Sequence, residues 1–437
     1  MALESTTVPG SAEKKTYHVL IVGAGLTGLI LAQALRNFNN SAAAALSSTR
    51  YTYEIYERDS HAFARGGGWS LTIHWALTDL RNMLSEDIVS RISECLVNPE
   101  AVEKSLPGIF QFLNLVTGEQ IEAWPIPSGV ASRVSREKII SLLLEGLDVQ
   151  VREWSKNLSN ITHQSSSTAT AHFTDGTSAT GNLIVGCDGS RSAVRRTLAQ
   201  TAYQNYRLPV RLIGLRVVRP VEEAKVCHDK DIHFFQGGDP TSNAYFWHSF
   251  IYYPRSDDKP REATCQIMFS WPYKAGTFGN PEPVEMPASN EERLEWMKSI
   301  AKGWAEPFRS LVFDISADTE AREIVLEDWP PVTGGWDNRN GTVTLVGDAA
   351  HAMTMFRGEA ANHGVIDVSV LTKLILPGKD GPTRVINLKE AINSYEQEMI
   401  ERTHPAALKS RQACIDANNY SSVNASSPLI SKRKMKD

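Results

Sequence analysis

The chain has 437 residues, of which 42% are hydrophobic, and a formal net charge of −5. This length suits two domains or one large interleaved unit with a sizeable core, and the mild charge argues against a nucleic-acid partner. The five cysteines are widely spaced and form no C-x-x-C pair, so neither a disulfide framework nor a metal site is predicted.

Targeting segments are not evident in the sequence. The first 17 residues are polar and lack the apolar core of a secretory signal, and residues 1–16 are expected to be disordered. The longest apolar run lies near residues 19–22 and is far too short to cross a bilayer. We therefore expect no membrane span and, by default, a cytoplasmic protein.

Hydrophobic periodicity divides the chain into alternating strands and helices. The segments that predict strands are 18–22, 53–57, 168–173, 183–186, 212–218, 232–236, 245–253, 265–271 and 342–346. The segments that predict helices are 26–36, 76–106, 137–147, 290–312 and 388–412, the last bent or ended near Pro405. Residues 37–49 are expected to be a surface loop or an extended helix end, and Asp175-Gly176 predicts a hairpin turn.

A glycine-rich motif follows the first strand and opens the first helix. Gly23, Gly25 and Gly28 have the G-x-G-x-x-G spacing, which permits a tight turn, close approach of a pyrophosphate and close packing of helix on sheet. Leu26 and Thr27 lie at the helix N-terminus, whose amides and partial positive charge favour phosphates. The strand–helix context supports a dinucleotide site at this turn.

The end of the second strand adds to this candidate site. Glu57 stands where an acidic residue can accept hydrogen bonds from a ribose, and the alternative is a surface glutamate. Its separation from Gly28 exceeds the usual ~20 residues because of the loop at 37–50. Arg58 would flank the adenosine half, and Gly68 belongs to a glycine run that marks a close backbone approach.

Two later motifs change this interpretation, because the first motif alone favours a nicotinamide dehydrogenase. The sequence CDGSRSAVR occupies 187–195, and GDAAHAM occupies 347–353 and continues through RGE at 357–359 to NH at 362–363. With the first motif, they resemble the FAD-dependent monooxygenases of the aromatic-hydroxylase type (group A), most closely the fungal branch of natural-product pathways. The resemblance covers nearly the whole chain in the expected order.

The resemblance assigns cofactor roles to these motifs. It implies that the first motif holds the FAD pyrophosphate and that Gly347 and Asp348 contact the ribitol and phosphates. It also implies that Asp188 and Gly189 serve both FAD and a transiently bound NADPH or NADH, since the chain has no second complete dinucleotide motif.

Two arginines and one loop match the flavin side of the family's site. Arg136 matches a flavin-side arginine and Arg133 is the second choice, the alternative for both being a solvated helix start. The implied flavin-loop residues are Gly358, Ala360, Ala361 and Asn362. Many relatives have proline where Met355 stands and glycine where Ala360 stands. Because alanine is costlier at positive φ, the loop is expected to sit differently here.

No side chain is assigned a catalytic role by a convincing pattern. His351 and His363 are expected to pack and form hydrogen bonds, whereas His74 and His248, with His233, are candidates for proton handling. Aromatic residues are concentrated at 234–271 and predict an apolar pocket, although any single one is more often simply core.

The predicted fold is α/β, with an FAD-binding Rossmann-like domain of the glutathione-reductase type interleaved with an antiparallel-sheet substrate domain. The FAD domain is expected at 17–75, 130–205 and 325–380, the substrate domain at 76–129 and 206–324, and a C-terminal helix and tail at 381–437.

The implied activity is hydroxylation or epoxidation of an apolar or aromatic small molecule, with NAD(P)H and O2, in secondary-metabolite biosynthesis. One alternative is a flavin oxidase or cyclase that inserts no oxygen. The other is a non-catalytic FAD-fold protein of the prenyl-protein chaperone kind. The oligomeric state stays open.

Overall fold

The computed structural model describes residues 14–66, 68–129, 131–147, 152–165, 167–377 and 387–432. The strands are β1 Lys15–Val22, β2 Thr49–Tyr56, β3 Ser70–Ile73, β4 Gly108–Asn114, β5 Gln120–Ile126, β6 Ser132–Ser135, β7 Arg152–Glu153, β8 Leu158–Ser165, β9 Thr168–Phe173, β10 Ser178–Gly181, β11 Leu183–Gly186, β12 Tyr206–Arg207, β13 Val210–Pro220, β14 Phe234–Gly238, β15 Tyr245–Tyr252, β16 Glu262–Pro272, β17 Ala321–Glu323, β18 Glu327–Asp328 and β19 Val343–Leu345.

The helices are α1 Leu26–Asn39, α2 Ala42–Leu46, α3 Leu77–Met83, α4 Glu86–Ser90, α5 Pro99–Glu103, α6 Arg136–Leu144, α7 Ala193–Ala199, α8 Val221–His228, α9 Asn290–Ala301, α10 Phe308–Phe313, α11 Asp348–His351, α12 Ala360–Ile375 and α13 Leu388–Ala417. Short 3-10 turns add Ile92–Cys95, Thr277–Gly279, Arg339–Gly341, Met355–Arg357 and Tyr420–Ser422.

A parallel sheet forms the first half of the fold, with strand order β19-β11-β1-β2-β7. Strand β11 is buried along its whole length and β1 along its last four residues, where both are continuous apolar runs because both faces of the sheet are covered. Helices α1 and α12 contribute buried residues to the same core. The carboxyl ends of parallel strands meet at one edge, so the turns after β1, β11 and β19 lie together there.

A seven-stranded sheet forms the second half, with order β17-β13-β16-β15-β14-β4-β5. Its described pairs are antiparallel except β14 with β4. Side chains alternate between its faces. Phe246 of β15 packs in a core with α8, α9 and α10, whereas Tyr245 packs in a separate cluster on the other face. That other face lines the candidate site.

The C-terminal segment fastens the two halves together. The indole Nε1 of Trp124 in β5 donates to the carbonyl of Ile430, which follows α13, at 3.1 Å. The Arg357 guanidinium donates to the Pro428 carbonyl, and Leu429 is fully buried. The segment therefore packs on both the seven-stranded sheet and the turn before α12.

Most predicted elements of the two sheets are confirmed, with longer ends. The strand expected at 18–22 begins at Lys15, because Lys15 and Thr16 pair with β2. The disorder predicted for 1–16 is therefore wrong at its last two residues, while residues 1–13 lie outside the described part. The hairpin at Asp175-Gly176 is confirmed by the antiparallel pairing of β9 and β10.

Several predicted helices differ from the structure. The helix expected at 76–106 consists of α3, α4, a 3-10 turn and α5, because Leu84 is extended and Asn98 starts a new helix before Pro99. The helix expected at 290–312 is divided into α9 and α10. Helix α13 runs through Pro405 to Ala417, so the expected end at Pro405 is wrong. Helix α8 was missed inside a strand-rich region.

Some negative findings hold for the described residues. No helix among them is both long and apolar enough to span a membrane, and they include no cluster of three or more His, Cys, Asp or Glu arranged for a metal ion. All five cysteines are buried free thiols.

Candidate active site

The first glycine turn is packed so closely that two of its positions have no room for a side chain. Gly23 has φ +110°, and a Cβ there would lie 2.4 Å from the Cys187 carbonyl oxygen. A Cβ on Gly28 would lie 2.0 Å from the Gly23 carbonyl oxygen. No side chain fits at either position, so the turn after β1 packs directly on the turn after β11.

Gly25 is different, because space is open beside it. A Cβ at Gly25 would meet no heavy atom within 4 Å, and its φ of −76° is accessible to any residue. It is the N-cap of the 14-residue helix α1, and no side chain caps that terminus. Open space beside an uncapped helix N-terminus suits a phosphate group. Gly189 lies in similar open space at the turn after β11.

Thr27 joins the first motif to the late one. A Cβ at Gly347 would lie 2.8 Å from the Thr27 methyl group, and a Cβ at Gly364 would lie 2.5 Å from it. The Thr27 side chain therefore packs against the α11 and α12 backbones. Leu26 beside it is half-buried against the main core.

Glu57 is held at the end of β2 by backbone amides. Its Oε2 accepts from the Ala24 amide at 2.8 Å and its Oε1 from the Asp59 amide at 3.0 Å. The carboxylate is half-buried at the rim of the cleft, and Arg58 is exposed. This fixed position keeps a carboxylate beside the glycine turn, as a ribose contact requires.

Arg136 lies across the cleft, at the start of α6. Its side chain packs on Gly68, where a Cβ would lie 3.1 Å from the Arg136 Cδ. Burial lowers its pKa, while Glu57 and Asp348 act in the opposite direction. Its backbone amide donates to the Trp69 carbonyl at 3.2 Å, but its guanidinium has no hydrogen-bond or ion-pair partner among the described residues. An anionic cofactor would supply one.

The late motif presents Asp348 at the first turn of α11. Gly347 precedes it with φ +64°, a conformation that favours glycine. The Asp348 side chain is exposed, and no described residue donates a hydrogen bond to its carboxylate. It is therefore available to accept bonds from hydroxyl groups of a cofactor.

A buried network fixes this late turn. Asp367 is fully buried and accepts from the Gly347 amide at 2.7 Å and from Arg402 at 2.8 Å, and it pairs with His351 at 2.7 Å. Burial opposes its ionisation, but His351 and Arg402 outweigh burial and hold the pKa of Asp367 well below its usual range. His363 pairs with Arg402 through Nδ1 at 3.0 Å, and burial lowers the pKa of His363 to about 3. Both motif histidines thus pack and form hydrogen bonds, as expected.

Asp188 is engaged by its own chain. Its carboxylate accepts from the Ser192 hydroxyl and from the Ala193 amide at 2.6 Å and the Val194 amide at 3.2 Å, so it caps α7. Burial raises its pKa in spite of these donors. The carboxylate orders the turn that holds Gly189.

Arg195 is a structural residue to which sequence analysis gave no role. It is 2% exposed and donates to Asn205 at 2.6 Å and to the Ala349 carbonyl at 3.2 Å. It also lies over the Trp329 ring at 4.6 Å. It therefore ties the middle motif to the late one, a contact between residues far apart in sequence.

The flavin-loop residues lie where the two halves meet. Gly358 has φ +64°, whereas Ala360 is the first residue of α12 and has negative φ. The strain expected for alanine at that position is therefore absent. Asn362 is fully buried, accepts from the His74 amide at 2.9 Å and donates to the Thr72 carbonyl at 2.9 Å. It joins the loop to β3.

A cavity of about 210 Å³ adjoins this loop. It lies between the seven-stranded sheet and the segment from Met355 to Ala361. Its aromatic wall and its principal polar groups are Phe110, Trp124, Phe234, Trp247, Ser70, Thr72, His74, Arg133 and Gln266. From the region 234–271, the aromatic residues Phe234, Tyr245 and Trp247 line the cavity, and Phe110 of β4 and Trp124 of β5 complete the aromatic wall. Other aromatic residues of that region pack in the core on the opposite face of the sheet.

Two of the three proton-handling candidates, His74 and His248, lie on opposite faces of the seven-stranded sheet. His74 lines the cavity. His248 is fully buried on the opposite face of the sheet, stacks on Phe235 at 5.0 Å, and neither ring nitrogen has a partner. Burial lowers the pKa of His248 to about 3. Because β15 side chains alternate in direction, His248 does not reach the cavity.

The cleft has the donors and acceptors that a dinucleotide needs. It combines an uncapped helix N-terminus, an unpartnered arginine, and two carboxylates at Glu57 and Asp348. These features are typical of α/β dinucleotide-binding proteins, and the cleft adjoins the aromatic cavity.

Relatives identify the family. A scan against family models found no match. A probable FAD-dependent monooxygenase of Arthroderma benhamiae is 44% identical over 95% of both chains. The FAD-dependent monooxygenase tazP of Aspergillus terreus is 43% identical over 85% of this chain and 91% of its own. The chain belongs to the FAD-dependent monooxygenases and is an oxidoreductase.

A solved structure agrees in fold. The 2,6-dihydroxypyridine-3-hydroxylase of Arthrobacter nicotinovorans superposes with a TM-score of 0.70 and covers 97% of this chain and 99% of its own, at 19% identity. The predicted combination of a parallel FAD-binding sheet and an antiparallel-sheet partner is therefore confirmed. FAD is the cofactor of the family.

Proposed function

We propose that the protein uses NADPH or NADH and O2 to hydroxylate or epoxidise an apolar or aromatic small molecule bound in the 210 Å³ cavity. The observation that carries this proposal is that Gly358, Ala360 and Ala361 of the flavin loop also line the cavity. When bound, FAD supplies electron transfer from the nicotinamide and activation of O2. The remaining requirements fall to the chain's own residues.

The aromatic wall positions the substrate and excludes water. Phe110 stacks on Trp124 with ring centroids 4.5 Å apart, and Phe234 stacks on Trp247 at 4.6 Å. A flat ring can stack on such a surface with little loss of conformational entropy. A dry site also protects reactive oxygen chemistry from water.

The C-terminal segment closes the site from behind. Arg357 and Trp124 both line the cavity and both bind carbonyls of this segment. The segment thus supports the cavity wall and the turn before the flavin loop together. A substrate would enter a pocket whose sheet side and loop side are both hydrogen-bonded to the C-terminal segment.

The cofactor assignments extend this proposal. Gly23, Gly25 and the α1 N-terminus would hold the pyrophosphate, Glu57 a ribose, and Asp348 the ribitol. Arg136 would face the anionic cofactor. We place the reaction in secondary-metabolite biosynthesis in a cytoplasmic setting, because the relatives are fungal and the aromatic cavity suits such products.

Product analysis under isotopically labelled O2 tests the proposal. The FAD-loaded protein is incubated with NADPH or NADH and a panel of hydroxynaphthalenes and hydroxybenzoates. We expect one labelled oxygen atom in a product. Peroxide formed in step with an oxidised but unlabelled product, without NADPH consumption, would favour the oxidase alternative.

A cavity-filling variant supplies the control. Met268 lines the cavity on β16, and Met268→Trp should abolish product while FAD stays bound. Val218 is 57% exposed on β13, so Val218→Trp adds the same ring at the surface and should retain activity. Equal activity of both variants would place the substrate elsewhere.

A further inference from the structure

Arg133 is a buried cation that lines the cavity. It lies in β6 and is 7% exposed. Its Nη1 donates to the Thr72 hydroxyl at 2.8 Å and its Nη2 to the Ser70 hydroxyl at 2.6 Å. The buried Nε has no hydrogen-bond partner among the described residues. A guanidinium has five N–H donors, so the two β3 hydroxyls leave part of this group unsatisfied.

The charge of Arg133 also lacks a paired anion. No carboxylate oxygen of the described residues lies within 4.0 Å of its nitrogens. The Asp231 charge acts to raise the pKa of Arg133. The Asp231 carboxylate, however, accepts hydrogen bonds from the amides of Ile109 at 2.6 Å, His233 at 2.7 Å and Phe234 at 2.8 Å. Burial lowers the pKa of Arg133 to about 10, so the group stays cationic at neutral pH. A buried cation without a paired anion destabilises the folded protein unless a ligand supplies the anion.

The Arg133 side chain points to the cavity, whereas the Arg136 side chain points to the cleft. Arg136, three residues later, packs on Gly68 and faces Glu57 and Asp348. Arg133 instead has its guanidinium carbon over the Phe234 ring, 5.6 Å from the ring centroid. Phe234 belongs to the aromatic wall. An aromatic ring stacked on that wall can therefore place a substituent against Arg133.

We propose that Arg133 determines specificity by binding an anionic oxygen, a carboxylate or an ionised phenol, of the aromatic substrate. This inference rests on the proposed function for the location of the substrate. Gln266 and the hydroxyls of Ser70 and Thr72 surround the same end of the cavity. An acid is thus favoured over a neutral molecule of the same shape.

The alternative is that Arg133 only ties β6 to β3 through its two hydroxyl bonds. Both roles predict that its removal disturbs the structure locally. They differ in ligand charge selectivity, because a structural tie has no reason to distinguish an acid from its amide. The test therefore measures a ratio of affinities.

Calorimetric titration of the FAD-loaded protein with naphthoate and with naphthamide provides that ratio. The two probes share shape and differ in charge. The wild type should bind naphthoate roughly tenfold to a hundredfold more tightly, as charge-assisted hydrogen bonds imply. Arg133→Gln should lower the ratio to about one, and Arg133→Lys should retain a preference because it keeps the charge.

Arg219 offers a matched control. It is 5% exposed, donates to the Leu311 carbonyl at 2.9 Å, and its Nε also has no partner, but it does not line the cavity. Arg219→Gln should leave the affinity ratio unchanged. Bound FAD, measured by absorbance, verifies folding of each variant.

A wild type with no preference for naphthoate, or an Arg133→Gln variant that keeps the preference, would overturn the inference. The titration contains no NADPH and involves no turnover. Its result therefore stands or fails independently of oxygen transfer, and failure of the proposed function would appear only in the labelled-product assay.

Discussion

Replacement of Asp367 by asparagine tests how the late motif is held. Asp367 accepts from the Gly347 amide and from Arg402, and pairs with His351, all within 2.8 Å and fully buried. Asparagine keeps the size but has one acceptor oxygen and no charge. The Gly347 amide and His351 both contact Oδ2, whereas Arg402 contacts Oδ1, so at most two of the three contacts keep their acceptor. Arg402 also loses one of its two carboxylate partners, the other being Glu398.

The magnitude follows from these losses. Removal of one partner from a buried ion pair lowers the free energy of unfolding by about 3–5 kcal/mol. Because Arg402 keeps its ion pair with Glu398, we expect a loss near the lower end of this range. Because the pKa of Asp367 is depressed, its contribution is present above the ordinary carboxyl pKa and is lost only as pH falls through the depressed value. At neutral pH the full effect is expected.

Two measurements define the assay. Urea unfolding of the FAD-free protein at pH ~7 gives the stability loss of Asp367→Asn, and a flavin-fluorescence titration gives FAD affinity. We expect a loss of about 3 kcal/mol and at least a tenfold weaker FAD affinity, roughly 1.4 kcal/mol, because the turn carrying Asp348 is no longer fixed.

Asp328 is the matched control, since it is also fully buried and binds Arg411 of α13 at 2.7 Å. Asp328→Asn should lose comparable stability without a change in FAD affinity. The reasoning would be refuted if Asp367→Asn lost less than about 1 kcal/mol, a small share of that expected for a broken buried pair, or if both variants weakened FAD equally.

Three other outcomes are expected. Gly25→Ala should weaken FAD binding at least about tenfold without lowering the midpoint of thermal unfolding. Gly303→Ala, which also adds a methyl group in open space, should change neither quantity. Equal FAD affinities of the two variants would contradict a phosphate site at Gly25. Trp124→Phe should cost about 1–3 kcal/mol in urea unfolding because the Ile430 carbonyl loses its donor; an unchanged midpoint would show that the bond contributes nothing. Burial lowers the pKa of His248 to about 3, so the unfolded state binds a proton at higher pH than the folded state, and the free energy of unfolding falls as pH drops from ~6.5 towards 3. His248→Phe should reduce this dependence of the unfolding free energy on pH by about 1.4 kcal/mol per pH unit. An unchanged dependence would mean that His248 is not buried in its neutral form.

The sequence predicted the strands and motifs well because their signals are local. An apolar run that ends in glycine identifies three of the five strands of the parallel sheet, β1, β11 and β19, and their turns. The helix at 76–106 was wrong because several short helices share one apolar periodicity, and only the extended Leu84 and the cap at Asn98 divide them.

The site's side-chain roles depended on contacts that sequence spacing does not contain. Arg133 and Arg136 are three residues apart, yet one lines the cavity and the other the cofactor cleft, because the chain changes from strand to helix between them. Asp367 binds residues on both sides of it, up to Arg402. No periodicity predicts such a network.

The visible spectrum of the purified protein after reconstitution with FAD tests the central claim most directly. The account predicts about one oxidised flavin per chain, tightly bound in the cleft and depleted in the Gly25→Ala and Asp367→Asn variants. A protein that stays colourless after reconstitution would contradict the account, because the cleft would then not be a flavin site.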